Sequence, residues 1–184
     1  MTDFDPLWRW INARGSVITV QEYNELKHVY ELMSGCDCKT YLEVGSAEGN
    51  SLYVLGHAAQ EISFIDYGEQ HTKVARDEAI AALGKPVIEY IGDSTTPDTF
   101  FKGIHHDRYD CVLIDGGHDY STVLSDSLMY ASLATKYVFW HDIQLPEVRR
   151  AYDWFKARWG SLGEFSEFIN SDTFGMGILK VKND

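Results

Sequence analysis

Five short apolar runs, separated by helical stretches and by no hairpin signal, constrain this chain more than any other feature. The runs are Thr40 to Val44, Ile62 to Asp66, Pro86 to Ile91, Tyr109 to Ile114 and Tyr137 to Trp140. Between them the periodicity predicts helices over Asn50 to Ala59, Glu69 to Leu83, Thr95 to Lys102 and Tyr120 to Ala134. Strands that alternate with helices read as right-handed crossovers, which build a parallel sheet covered by helices on both faces. A further helix is expected after Pro146, with Val148, Tyr152, Phe155 and Trp159 facing inward. The end differs: Glu164 to Ile169 and Phe174 to Val181 flank Asn170-Ser171-Asp172-Thr173 and predict an antiparallel hairpin. The expected fold is α/β, a doubly wound sheet of five parallel strands plus a C-terminal hairpin, seven strands in all.

With 184 residues the chain has the length of one ordinary domain and can bury roughly 70% of its unfolded surface. There is no low-complexity linker and no repeat. Residues 1–38 read as a helical appendage to a domain over 39–184. The appendage opens with Leu7, Trp8, Trp10 and Ile11 around a short helix. A stronger helix follows Thr19, which forms a capping box with Glu22. Its residues Val20, Tyr23, Leu26, Val29, Tyr30 and Met33 recur at three- and four-residue steps and predict a buried face ended by Gly35.

Sixteen basic against 28 acidic side chains give a formal charge of -12. Nucleic acid and anionic membrane both need basic surface, so neither is an expected partner. The expected partner is a small molecule. The N-terminal stretch Met1-Thr2-Asp3-Phe4-Asp5-Pro6 lacks a signal peptide's basic and apolar regions, so a cytoplasmic location is the expectation. Cys36, Cys38 and Cys111 make no disulfide framework in a chain of this size. The aromatic N-terminus leaves two readings open, a roof over a pocket or an interface in a homo-oligomer.

Ligands of an open α/β sheet bind at the carboxyl ends of its strands. There each parallel run of this chain delivers an acid: Glu43, Asp66, Asp93, Asp115 and Asp142, the last preceded by His141. The first turn, Glu43-Val44-Gly45-Ser46-Ala47-Glu48-Gly49, joins a strand to a helix, and its small residues let a ligand approach the backbone. A dinucleotide fingerprint would need a glycine where Ala47 stands and another three residues further on, and this chain has neither. Glu43 also suits a cationic ligand better than a pyrophosphate.

On these residues the chain, from about Lys39 to Lys182, resembles the Rossmann-like class I S-adenosylmethionine (SAM)-dependent methyltransferases. The resemblance implies that Glu43, Gly45, Ser46, Ala47 and Gly49 hold the methionine half of the cofactor. It makes Asp66 the acceptor of both ribose hydroxyls, and puts Asp93 and Ser94 beside the adenine, with Asp115 at the strand-four turn. Tyr67 is read either as a cover for the adenine or as a plain surface residue. SAM carries an ammonium and a sulfonium but no phosphate, which a rim of carboxylates suits.

The sequences Ile114-Asp115-Gly116-Gly117-His118-Asp119-Tyr120 and Trp140-His141-Asp142 look like those of metal-assisted small-molecule O-methyltransferases and of the related cephalosporin-hydroxylase-like group. That likeness implies a divalent cation held by Asp115, His141 and Asp142, with His118 as base and Asp115 beside it in the catalytic set. An imidazole ligand shifts preference from Mg²⁺ toward Mn²⁺, Fe²⁺ or Zn²⁺. Three roles stay open for His141, ligand, outer contact or substrate contact, and two for His118, base or cap of the helix near Tyr120. The expected activity is methyl transfer from SAM to a hydroxyl of a sugar, polyol or natural-product type of molecule. A metal-dependent oxygenase and a silent cofactor-binding or scaffold protein are the alternatives.

Overall fold

The computed structural model describes residues 3–14, 20–68, 70–169 and 174–182. Seven strands form one sheet: β1 (Thr40–Val44), β2 (Glu61–Asp66), β3 (Val87–Ile91), β4 (Tyr109–Ile114), β5 (Ala134–Trp140), β6 (Gly163–Phe168) and β7 (Met176–Val181). Their order is β3-β2-β1-β4-β5-β7-β6. The first five are mutually parallel, whereas β7 runs antiparallel to both β5 and β6. Strand order reverses between β1 and β4, so the crevice of an open sheet lies there.

Among the described residues seven helices accompany the strands: α1 (Phe4–Ala13), α2 (Val20–Gly35), α3 (Asn50–Gly56), α4 (Gln70–Leu83), α5 (Pro97–Gly103), α6 (Tyr120–Tyr130) and α7 (Pro146–Trp159). Two apolar clusters cover opposite faces of the sheet. One joins Phe4, Leu7 and Ile11 of α1 and Val29 and Met33 of α2 to Tyr41, Phe64 and Cys111. The other gathers Leu42, Val112, Val138 and Trp140 beneath Val123 of α6 and Tyr152 and Phe155 of α7. Alternation along each strand sends successive side chains to opposite faces, which is how one strand feeds both clusters.

The aromatic N-terminus folds back on its own chain. Phe4 stacks on Trp8 and meets Tyr23 and Tyr30 edge-on or tilted, while Trp10 stacks on Tyr53 of α3 at 4.0 Å. Thr19, and with it the expected capping box, lies outside the described residues, as do Glu69 and the 170–173 turn. Several boundaries differ from expectation, two of them next to each other before and within β5. The helix over 120–134 ends at Tyr130 in a short 3₁₀ turn, and β5 begins at Ala134 rather than Tyr137. Lys136 explains the longer strand: its ammonium binds the Asp110 carboxylate on neighbouring β4 and the carbonyls of Cys36 and Asp37. Among the described residues no helix is long and apolar enough to cross a membrane.

Candidate active site

The carboxyl ends of β1, β2 and β4 meet at the turn after β1, and Gly45 is what allows them to. Its φ is +86°, and a Cβ there would stand 2.2 Å from the Asp115 carbonyl oxygen and 2.6 Å from Gly116 Cα. Only glycine permits the loops after β1 and β4 to touch in this way. Gly49 follows at φ +76° and opens α3 against Ala79 and Arg76 of α4.

Asp66 ties this turn together. Its Oδ2 accepts hydrogen bonds from the backbone N–H groups of Ser46 and Ala47, both at 2.9 Å, and from Ser46 Oγ. Its Oδ1 accepts from Gly68 N–H at 2.8 Å and from Arg76 Nη1 at 3.0 Å. Burial opposes ionisation of Asp66, but these amides and the guanidinium outweigh it and hold the carboxyl below its usual range. Arg76, 1% exposed, also donates to the Ala47 carbonyl. Nothing in the motif reading included Arg76. The available signal was a cation on the buried stripe Thr72, Arg76, Ala79, Leu83 of α4.

Glu43 lies beneath this turn and outside the lining of both clefts described below. It is fully buried, accepting hydrogen bonds from Tyr41 Oη and Ser51 Oγ at 2.6 Å each. Burial, with the nearby charges of Asp115 and Asp66, pushes its pKa up to about 8.

Two adjoining clefts open above the strand ends. One, of about 410 Å³, is lined by Ala47, Asp66, Tyr67, Asp93 and Ser94, among others. Tyr67 is 74% exposed yet borders this cleft. Asp93 closes a turn by accepting from Thr95 N–H and Oγ1. The second cleft, of about 450 Å³, is bordered by Leu26, Ser46, Glu48, His118, His141 and Asp142. Gly45, Ala47, Thr72, Asp115 and Gly116 line both, so the two are limbs of one groove.

Where β4 and β5 end, three ligand-type atoms from Asp115, His118 and Asp142 lie within 4.8 Å of one another. His118 Nε2 is 3.0 Å from Asp142 Oδ2 and 4.0 Å from Asp115 Oδ1. These two carboxylates push the His118 pKa up to about 10. The cap of α6 is Asp119, which accepts from Ser121 and Thr122 N–H, so His118 does not serve as the cap. On the inner side His141 Nδ1 is 3.3 Å from Asp115 Oδ1 and 3.2 Å from Asp142 Oδ1. Burial works against a charged His141 ring, but Asp115, Asp142 and Glu25 raise its pKa well above the usual value. Asp142 sits at φ +58°, a left-handed backbone that costs a non-glycine residue about 1 kcal/mol or more.

Glu25, from α2, is a second residue the motif reading did not include. It is buried and reaches His141 Nε2 at 3.3 Å. Its signal was an acid one helical turn before Val29 on an apolar stripe. Asp126 of α6 was also missed; its carboxyl is fully buried, with Oδ2 3.0 Å from where a Gly116 Cβ would stand.

Residues 42–143 match the family model described as a methyltransferase domain. Among curated proteins none matches the chain. Among solved structures, the O-methyltransferase TomG from Streptomyces achromogenes, involved in tomaymycin synthesis and in complex with SAM, is similar at TM-score 0.74 and 14% identity. That alignment covers 100% of this chain and 92% of the other. The O-methyltransferase from Bacillus cereus in complex with SAH aligns at TM-score 0.73 and 14% identity, over 99% of this chain and 92% of its own. These likenesses establish the shared class I fold. With a match over more than half its length on that fold, the chain belongs to the methyltransferase-domain family.

Proposed function

We propose that this chain transfers a methyl group from SAM to a hydroxyl oxygen of a small molecule, assisted by a divalent cation. The observation that carries this reading is the convergence of Asp115, Asp142, His141 and His118 at the edge of the groove that the Gly45 turn forms. The limb bordered by Asp66, Tyr67, Asp93 and Ser94 suits the nucleoside, since its carboxylates can accept from ribose hydroxyls and the adenine amine. The Gly45–Gly49 turn leads from there into the second limb. On this reading the methionine half and its sulfonium lie beside Asp115, where carboxylates favour a cationic ligand. The overall charge of -12 also disfavours a polyanionic acceptor.

The residues suit a cation on their own chemistry. Asp142 Oδ1 is buried and has no hydrogen bond, although His141 Nδ1 is 3.2 Å away, so it keeps a lone pair to give. Asp115 and Asp142 would hold the ion, with His141 Nδ1 as the third donor. When bound, a divalent ion lowers the pKa of a chelated hydroxyl. His118, on the open side, is the group placed to take the hydroxyl proton. While paired to both carboxylates it is protonated, so its basic form requires those carboxylates to be engaged elsewhere. Transfer then forms one O–CH₃ bond as the S–CH₃ bond breaks in line, leaving S-adenosylhomocysteine, with the proton on His118. Positioning in the groove supplies much of the acceleration.

The test combines calorimetry of SAM with methyl transfer from labelled SAM to a panel of polyol, sugar and phenolic hydroxyls, with and without Mg²⁺ or Mn²⁺. Micromolar SAM binding and cation-stimulated transfer are expected. Folded protein that binds no SAM, but takes up oxygen with Fe²⁺, would replace this reading with the oxygenase one.

A further inference from the structure

Glu25 belongs to the N-terminal appendage, far in sequence from the residues it touches. It is 1% exposed and both of its carboxylate oxygens are engaged. Oε1 accepts from the Gly175 backbone N–H at 2.6 Å, just before β7. Oε2 lies 3.3 Å from His141 Nε2, just after β5. The opposite ring nitrogen, His141 Nδ1, faces Asp115 and Asp142. One imidazole therefore spans α2 on one side and the ends of β4 and β5 on the other. Turning it over would break contacts at both edges.

Apolar packing alone gives no reason for an acid here. The next positions along this side of α2, Val29 and Met33, are fully buried hydrophobes. A buried carboxylate persists where its partners require it, and Glu25 has two: one amide and one imidazole.

We propose that Glu25 is a positioning residue for the cation site, holding His141 by Nε2 so that Nδ1 is presented toward Asp115 and Asp142. The assignment rests on the metal-assisted reading above and deepens it. A carboxylate behind a ligating imidazole fixes its tautomer and orientation and raises its basicity, and loss of such a partner typically weakens metal binding about 10- to 100-fold. On this assignment α2 is part of the active site, which a domain boundary at residue 38 would leave out.

The experiment is Mn²⁺ binding to the full chain, by calorimetry and by the electron paramagnetic resonance of free Mn²⁺. It compares wild type with Glu25→Gln and Val29→Ala, with metal-free SAM affinity measured beside each. Glu25→Gln keeps the volume and an oxygen for Gly175. It is expected to weaken Mn²⁺ binding by about 10- to 100-fold while SAM affinity holds within about twofold. Val29→Ala loosens α2 without touching His141 and is expected to lower the melting temperature but not Mn²⁺ affinity. Should Glu25→Gln not fold, Glu25→Asp takes its place, with the same loss expected because the shorter acid withdraws from His141. A Glu25 variant that folds and binds Mn²⁺ like wild type overturns the assignment alone, as does equal weakening by Val29→Ala. Wild type that binds no Mn²⁺ removes the metal reading and this assignment with it.

Discussion

Arg76 Nη1 stands 3.0 Å from Asp66 Oδ1 and 3.0 Å from the Ala47 carbonyl oxygen, so one buried guanidinium joins the end of β2 to the turn after β1. Asp66 therefore shapes the groove as well as lining it. Its carboxylate is the peg on which the Ser46–Ala47 backbone hangs, and the amides of Gly68, Ser46 and Ala47, with Arg76 beside them, keep that peg charged.

Replacing Arg76 with Met should destabilise the protein by about 3 kcal/mol, the low end for breaking a buried pair, because three backbone amides still serve Asp66. SAM affinity should fall about tenfold or more, equivalent to about 1.4 kcal/mol. Urea unfolding and calorimetry check the two parts. Stability lost with affinity intact would separate the pair from the binding surface.

Two buried carboxyls make the ligand-free protein sensitive to alkali. Burial pushes Glu43 to about 8 and Asp126 to about 7, against ordinary values of 4.5 and 3.8. Between these limits the folded state holds protons that the unfolded state has released, so stability falls as pH rises. Each group contributes at most about 1.4 kcal/mol per pH unit within its own window. His118, raised to about 10, acts in the same direction from pH 6.5 upward, its contribution being full below that point. Melting temperature should decline from pH 5 to pH 8.5, less steeply in Asp126→Asn. A flat or rising wild-type profile would contradict this account of the buried acids.

Glu43 is expected to couple protonation to cofactor binding. If the SAM ammonium settles near the turn, it favours the ionised carboxylate and lowers a pKa that starts at about 8. Binding at pH 7 should then release up to about one proton, read as a dependence of binding enthalpy on buffer ionisation heat. Glu43→Gln keeps the size of the side chain and should abolish that dependence. Equal proton release by the variant would assign the proton to another group.

His118 should matter for transfer and not for cofactor affinity. Replacing it with Gln is expected to lower kcat by about 10²- to 10⁴-fold, the usual contribution of a general base. SAM affinity should be unchanged within about twofold. The measurement is steady-state turnover with saturating SAM beside calorimetry of the same variant. A variant that keeps wild-type kcat would leave His118 as a partner of the two aspartates and nothing more.

The strand runs were legible because buried parallel strands are written as short apolar stretches, and Thr40–Val44 and Tyr109–Ile114 fall where the sequence predicts. Asp66, Asp93, Asp115 and Asp142 were legible for the same reason, since the polar residue that closes such a run stands at the rim, whereas Glu43, inside its run, is buried beneath the turn instead of reaching the rim as expected. Residues 134–136 were not, because Ala134-Thr135-Lys136 becomes strand through a partner, Asp110, that only the sheet supplies. Glu25 and Arg76 could be seen only as charges on apolar helical stripes, with no hint of what they met. Their partners lie 116 and 10 residues away along the chain.

Sequence by itself determined the element order, the parallel sheet with its terminal hairpin, and four of the five acids expected at the rim, because these follow from local periodicity and from where apolar runs stop. Tertiary structure alone decided how the rim is used. It buried Glu43 under the turn, secured Asp66 with Arg76, and brought α2 across the sheet so that Glu25 holds His141. Burial and charge pairing depend on distances between elements, and those distances exist only once the helices have packed on the sheet.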